Sequence, residues 1–225
     1  MSIKENIKKV QEKIEEALKR SGRNDKVILL GATKGVLPEK IIEAIDCGLK
    51  VFGENRIQEA LPKIEKLKDF DIDWHFIGHL QKNKAKEAIE NFSLIQSVDS
   101  IGLAKRLQQI SQMEEKIVPI LVEINIGNEP TKYGIKIEDL PQFIDEVSKM
   151  ENLKLKGLMA IPPYNPDPEK VRPYFKEMYK IYEKLSSIFK NFEYLSIGMS
   201  EDFEVAIEEG SNLVRIGRAI FGERL

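Results

Sequence analysis

Eight short apolar, β-rich runs alternate with helical segments along this chain, and that alternation limits the possible folds more than any other feature. The runs are VILLGAT and then residues 49–53, 74–77, 94–98, 118–124, 154–159, 194–197 and 212–216. Between them apolar residues recur every three or four positions, as in IQEALPKIEKLK, SIGLAKRLQQISQMEE and EKVRPYFKEMYKIYEKLSSIF, which is the spacing of amphipathic helices. Parallel neighbours cannot be joined by tight hairpins, so strict alternation implies parallel strands with crossover helices. Eight such units predict an α/β fold closed into a (β/α)8 barrel. An open, doubly wound sheet shares the local pattern. The barrel is favoured by the count of eight and by GATKGV standing after the first strand where that alternative carries GxGxxG.

An extra helix precedes the first strand: Ile3, Ile7, Val10, Ile14 and Leu18 share one face, and Ser2 with Glu5 forms a capping box. Only GRAIFGERL follows the last strand, too short for a full outer helix, so the N-terminal helix is expected to cover the eighth and first strands. Pro38 marks a helix start, and Pro62, Pro141 and Pro173 each predict a start or a kink. No linker or low-complexity tract divides the chain, and residues 1–225 are expected to form a single domain. Lys plus Arg number 35 and Asp plus Glu 37, which leaves no basic field for nucleic acid. No apolar run is long enough to span a bilayer, and the first residues lack an apolar signal region. The lone Cys47 cannot form an internal disulfide and fits a cytoplasmic setting.

In such a barrel the site lies at the C-terminal ends of the strands, which is where Lys34, Glu54, Asn55, His79, Ser97, Asn125, Met159, Met199, Ser200, Arg215 and Gly217 fall. Lys34 directly follows a buried strand. An amine partly withdrawn from water there is a usable nucleophile toward an aldehyde; the plainer alternative is a solvated strand-end lysine. GMSED and RIGRAIFG each turn into a helix start, where free amides and the dipole favour an anion, and barrels frequently bind phosphate there. Ser200 would cap the first of these helices with its hydroxyl toward the anion, and Gly217 would let a phosphate approach the backbone. Ordinary capping, with Glu201 and Asp202 as first-turn acids, is the alternative. Arg215 can point into the mouth, where a buried guanidinium needs an acceptor: a pyridine nitrogen, or else Glu123 or Glu54. His75 and His79 do not make a metal site, because strand residues four apart lie about 13 Å from each other and no third soft ligand accompanies them. Cys47, beside the helix stop at Gly48, reads as a small buried residue rather than a nucleophile.

The stretches GATKGV, FGENRIQEA, WHFIGHLQKNK, SVDS, INIGNEPTKYGI, GLMAIPP, SIGMSEDFEVAIEEGS and VRIGRAIFG resemble those of the YggS/PROSC group, the pyridoxal phosphate homeostasis proteins, from about residue 27 onward. The resemblance implies a monomeric barrel like the N-terminal domain of bacterial alanine racemase, with pyridoxal 5′-phosphate (PLP) bound as a Schiff base. It implies Lys34 as the aldimine lysine, Ser200 and the Gly217 backbone at the phosphate, Arg215 facing the pyridine nitrogen and Asn55 beside the ring. One departure is Arg218, where the family often has threonine after RIG; a guanidinium then stands in place of a hydroxyl near the phosphate. An Arg at the pyridine nitrogen weakens the ring as an electron sink. The second base of alanine racemases comes from a C-terminal β-domain and a partner subunit, for which this chain has no room. The expectation is therefore a PLP carrier that serves PLP-requiring apo-enzymes, with no catalytic residue and no robust turnover. Two alternatives stand beside it: a small PLP-dependent amino-acid racemase with Tyr133 or Tyr164 as the missing base, and a phosphate-ligand enzyme that uses Lys34 without PLP. Lys132, in the NEPTKYGI loop, is the first candidate should Lys34 not be the reactive amine.

Overall fold

The eight runs close on themselves. In the computed structural model, which describes residues 2–223, the strands are β1 (Ile28–Ala32), β2 (Val51–Glu54), β3 (Asp73–Phe76), β4 (Leu94–Val98), β5 (Val118–Ile124), β6 (Leu153–Ala160), β7 (Tyr194–Ser196) and β8 (Leu213–Ile216). They pair in sequence order as a closed parallel barrel, with β8 returning to β1. Each lies within a residue or two of the run that predicted it, because strands buried on both faces must be apolar throughout.

The helices are α1 (Ile3–Arg20), α2 (Pro38–Asp46), α3 (Ile57–Lys66), α4 (Ala85–Asn91), α5 (Ile101–Met113), α6 (Leu140–Ser148), α7 (Arg172–Ser186), α8 (Phe203–Glu208) and α9 (Arg218–Phe221). Pro38, Pro141 and Pro173 stand in first turns, where a missing N–H costs no hydrogen bond, whereas Pro62 sits inside α3. α9 is a single turn, and α1 lies against it and against α8 and α2. The Asn6 side chain donates to the Ile220 carbonyl at 2.9 Å, and Arg20 pairs with Glu204 and Glu208 on α8. The capping box forms: Ser2 Oγ accepts from the Glu5 amide, and Glu5 Oε2 accepts from the Ser2 amide at 2.8 Å. α1 thus covers the closure between the last and first strands, as its apolar face requires. Among the described residues, no helix is long and apolar enough to cross a membrane.

Most of the core lies between strands and helices. Inside the barrel, Leu30, Ile77 and Leu213 form one small cluster and Leu94, Leu121 and Met159 another, and Tyr194 packs against both. These residues identify which alternate positions of each strand face inward.

Candidate functional site

Continuing that alternation past the apolar clusters places Lys34, Asn55, Ile77, His79, Glu123, Arg215 and Gly217 on the inner side at the C-terminal mouth. β4 carries one extra residue against β5, since Ile95 pairs with Ile120 but Val98 with Val122. Such a bulge reverses the alternation, and it turns Asp99 toward the mouth, where its Oδ2 meets His79 Nδ1 at 2.9 Å.

Two cavities open side by side at the mouth and share Asn55. One, of about 550 Å³, is lined by Asn55, Ser200, Arg215, Gly217 and Arg218, together with Ala32, Ile77 and Tyr164. The other, of about 590 Å³, is lined by Lys34, Asn55, Arg56, His79, Lys84 and Tyr133. Five of the six expected binding residues therefore share one cavity, and Lys34 stands in the next. Lys132 is in the loop that carries Tyr133, its carbonyl accepting from Asn125 Nδ2 at 3.3 Å. Cys47 caps the C-terminus of α2 and is partly buried.

Ser200 does not cap α8. α8 begins at Phe203 with Asp202 at its N-cap position, and Glu204 is the first-turn acid in place of the expected Glu201 and Asp202. The turn after β7 is longer than expected because Gly198, at φ +95°, packs against α8: a Cβ there would lie 2.6 Å from that of Ala206. Asp202 Oδ1 instead accepts from the Met199 amide at 2.7 Å, and burial pushes its carboxyl pKa up. The Ser200 hydroxyl accepts from the Ala219 amide at 3.3 Å, which joins the two expected anion-binding loops. Arg218 pairs with Glu201 at 2.6 Å on the rim of the same cavity.

Arg215 is buried, and neither carboxylate expected as its partner contacts it. Its Nη1 donates to the Ser196 carbonyl and hydroxyl, both at 2.6 Å, and its Nη2 to the Ala160 carbonyl at 2.9 Å. A guanidinium has five N–H donors, so these three bonds leave donor capacity for a ligand acceptor. Burial draws its pKa down to about 10, against the charges of Glu123 and Asp202, so it stays cationic at neutral pH. Glu123 Oε2 is buried with no partner; desolvation, reinforced by Asp99 and opposed by Arg215, pushes its pKa up to about 7.

The bonds below Arg215 run in one direction. Ser196 Oγ donates to Gln96 Oε1 at 2.6 Å, and Gln96 Nε2 donates to His75 Nδ1 at 2.9 Å. Burial lowers the His75 pKa to about 4, so the ring is neutral and Nδ1 is free to accept. His75 therefore belongs to the barrel floor and His79 to the rim, and among the described residues no group of three metal-ligating side chains forms.

A second polar group lies outside the barrel behind Lys34. Lys63 donates to Glu54 Oε1 at 2.6 Å and to the Thr33 carbonyl at 2.7 Å, and Thr33 Oγ1 also reaches Glu54 at 2.6 Å. Glu54 thus belongs to Lys63 and not to Arg215. Sequence reasoning missed Lys63, Gln96, Ser196 and the place of His75. Lys63 left a signal, since it continues the buried α3 face of Ile57 and Ala60 at a spacing of three.

Comparison with known proteins gives a consistent picture. The model of the family described as alanine racemase, N-terminal domain, matches residues 2–225. A pyridoxal phosphate homeostasis protein of Aquifex aeolicus is 46% identical over 226 residues, covering 100% of this chain and 99% of the relative. The structure of PipY from Synechococcus elongatus PCC7942 with PLP bound is similar at a TM-score of 0.82 and 33% identity, covering 93% of this chain and 100% of PipY. An alanine racemase of Clostridium difficile 630 shares the fold, with a TM-score of 0.73 at 16% identity over 97% of this chain and 56% of the racemase.

Proposed function

The chain belongs to the alanine racemase N-terminal domain family, among the pyridoxal phosphate homeostasis proteins, and from that premise we propose that it binds PLP at the barrel mouth and keeps it in reserve for PLP-requiring apo-enzymes. The observation that carries this is the buried Arg215 guanidinium, with spare donors and no carboxylate in contact among the described residues, at the floor of a cavity bordered by Ser200 and Gly217. A buried cation of this kind is costly until an acceptor arrives. An aromatic nitrogen on an anionic phosphate ester fits it.

In this assignment Ser200, the Gly217 backbone and Arg218 hold the phosphate, Asn55 lies beside the ring, and the Lys34 amine, reaching in from the adjoining cavity, binds the aldehyde as a Schiff base. When bound, PLP supplies an electrophilic aldehyde and an electron-accepting ring. Arg215 tempers the second property, because a cation at the ring nitrogen opposes protonation there. The chain Arg215–Ser196–Gln96–His75 fixes the guanidinium as a donor. That arrangement supports a reservoir more than a catalyst, acting as one domain, as a monomer and in the cytoplasm.

The test is optical. Purified protein mixed with PLP should turn yellow, borohydride should fix one adduct on Lys34, and Lys34→Ala should remove both signals while the circular dichroism melt is unchanged. A full-occupancy reducible adduct in Lys34→Ala would move the assignment to another lysine, Lys132 first. No adduct in the wild type would favour a phosphate-ligand enzyme that uses Lys34 without PLP. Elution of the loaded protein as a dimer would remove the monomer.

A further inference from the structure

A carrier that holds its cargo by a covalent bond needs a way to let go. The cavity that Lys34 lines is separate from the one that gathers Ser200 and Arg215, and at about 590 Å³ it has room for a small molecule. His79 forms part of its wall. A carboxylate only accepts, so the 2.9 Å contact with Asp99 places a hydrogen on His79 Nδ1, and in the neutral ring Nε2 is then the nitrogen with the unshared pair. Asp99 is held for this by the extra residue in β4, and its side chain is 7% exposed. The Tyr133 ring stacks on the imidazole at 3.6 Å between centroids and 11° between planes. At the rim stand Arg56 and Lys84, each beside a carboxylate of its own helical turn, Glu59 at 3.1 Å and Glu87 at 2.9 Å.

An oriented proton acceptor, a nearby amine and two rim cations suit a second amine that carries a carboxylate. We propose that this cavity admits an α-amino acid, which takes the cofactor from Lys34, and that His79 moves the proton between the two nitrogens. This rests on PLP being bound through Lys34. The incoming ammonium gives a proton to His79 Nε2, and its freed nitrogen bonds to the aldehyde-derived carbon while the π pair of the protonated C=N bond moves to Lys34 Nζ. A proton then passes from the incoming nitrogen to Nζ, the bond from the carbon to Nζ breaks with its pair going to Nζ as the incoming nitrogen's pair forms the new C=N bond, and the freed amine takes the proton back from His79. Nothing is oxidised or reduced, total charge is conserved, Lys34 ends as an ammonium, and the cofactor leaves on the amino acid.

The experiment uses the full chain loaded with PLP, with alanine as the probe and stopped-flow absorbance as the readout. His79→Gln should slow transfer to alanine roughly 100-fold, within the range of a positioned acid or base, while PLP content at equilibrium and borohydride labelling of Lys34 stay as in the wild type. Added imidazole should restore the rate in His79→Gly, and Asp99→Asn should slow transfer with the same labelling. In PLP-free protein, alanine should shift the His79 ring resonances. Should the His79 variants fail to fold, alanine is compared with ethylamine on the wild type and on the Arg56→Gln/Lys84→Gln double variant; a preference for alanine that the double variant loses supports the site. An unchanged rate in His79→Gln, no rescue by imidazole, no resonance shift, or equal rates for alanine and ethylamine would overturn it. Failure of the underlying PLP assignment is distinguishable, because it appears as absent Lys34 labelling before any amine is added.

Discussion

Glu123 and His75 are buried titratable residues of one barrel interior with opposite demands on pH. Burial raises the Glu123 pKa from 4.5 to about 7, so the folded chain retains a proton there that the unfolded chain has released. Stability must then fall as pH rises through that window, by on the order of 3 kcal/mol in total. His75 is lowered from 6.5 to about 4, so on acidification the unfolded chain takes up a proton first and stability falls in the other direction. Between pH 4.5 and 6.5 the two slopes oppose each other. The unfolding free energy of Glu123→Gln relative to wild type, from urea titrations, should grow from pH 4.5 to 7 and then level off; a difference independent of pH would mean that Glu123 is not held protonated. Ser200 answers to a ligand instead. Its hydroxyl lies between two loops beside the proposed phosphate, so Ser200→Ala should weaken PLP more than pyridoxal, by about 0.5–1.5 kcal/mol. Equal losses for both ligands in a fluorescence titration would contradict a phosphate contact.

α3 reaches the barrel through a buried lysine, and that contact fixes the backbone from which Lys34 projects. Lys63→Met would leave Glu54 buried without its cation, at a cost of roughly 3–5 kcal/mol. Adding Glu54→Gln should recover a good part of it, and additive losses in a double-mutant cycle would show that the pair does not act as a unit. The elements themselves were legible because each carries its own pattern: strands such as ILLGA are apolar throughout, and α1 repeats its buried positions with a helical period. The strand ends then located Lys34, Asn55, Ser200, Arg215 and Gly217 at one mouth. What the sequence could not convey depends on distant partners. Ser196 meets Gln96 across 100 residues, and Arg215 meets the Ala160 carbonyl across 55. The start of α8 was misplaced because the longer turn depends on how Gly198 packs against Ala206, which no local pattern reports. Asn55 lines both the cavity that holds Lys34 and the one that holds Ser200 and Arg215.

At the scale of the molecule, the barrel offers one mouth and brings its proton-handling groups to one part of it. Racemisation requires removal of the α-proton on one face of the bound amino acid and return of a proton on the other, with both groups within hydrogen-bond reach of the same carbon. Lys34, once released, and His79 line the same cavity, which suits transfer between nitrogens and leaves the other cavity to supply the second face. There Tyr164 is the candidate, and it is 81% exposed on the loop after β6. Tyr133 is 56% exposed and engaged in its stack on His79. Accurate placement provides much of an enzyme's rate advantage, and a base left to solvent forfeits it. Arg215 weakens the electron sink that α-proton removal needs, so the two deficits reinforce each other. The loaded protein should therefore exchange PLP with alanine yet leave its optical rotation, and that of serine, unchanged beyond what free PLP does. Rapid loss of rotation, or α-proton exchange in deuterated water that disappears in Tyr164→Phe or Tyr133→Phe, would make the mouth a racemase site and the carrier assignment wrong.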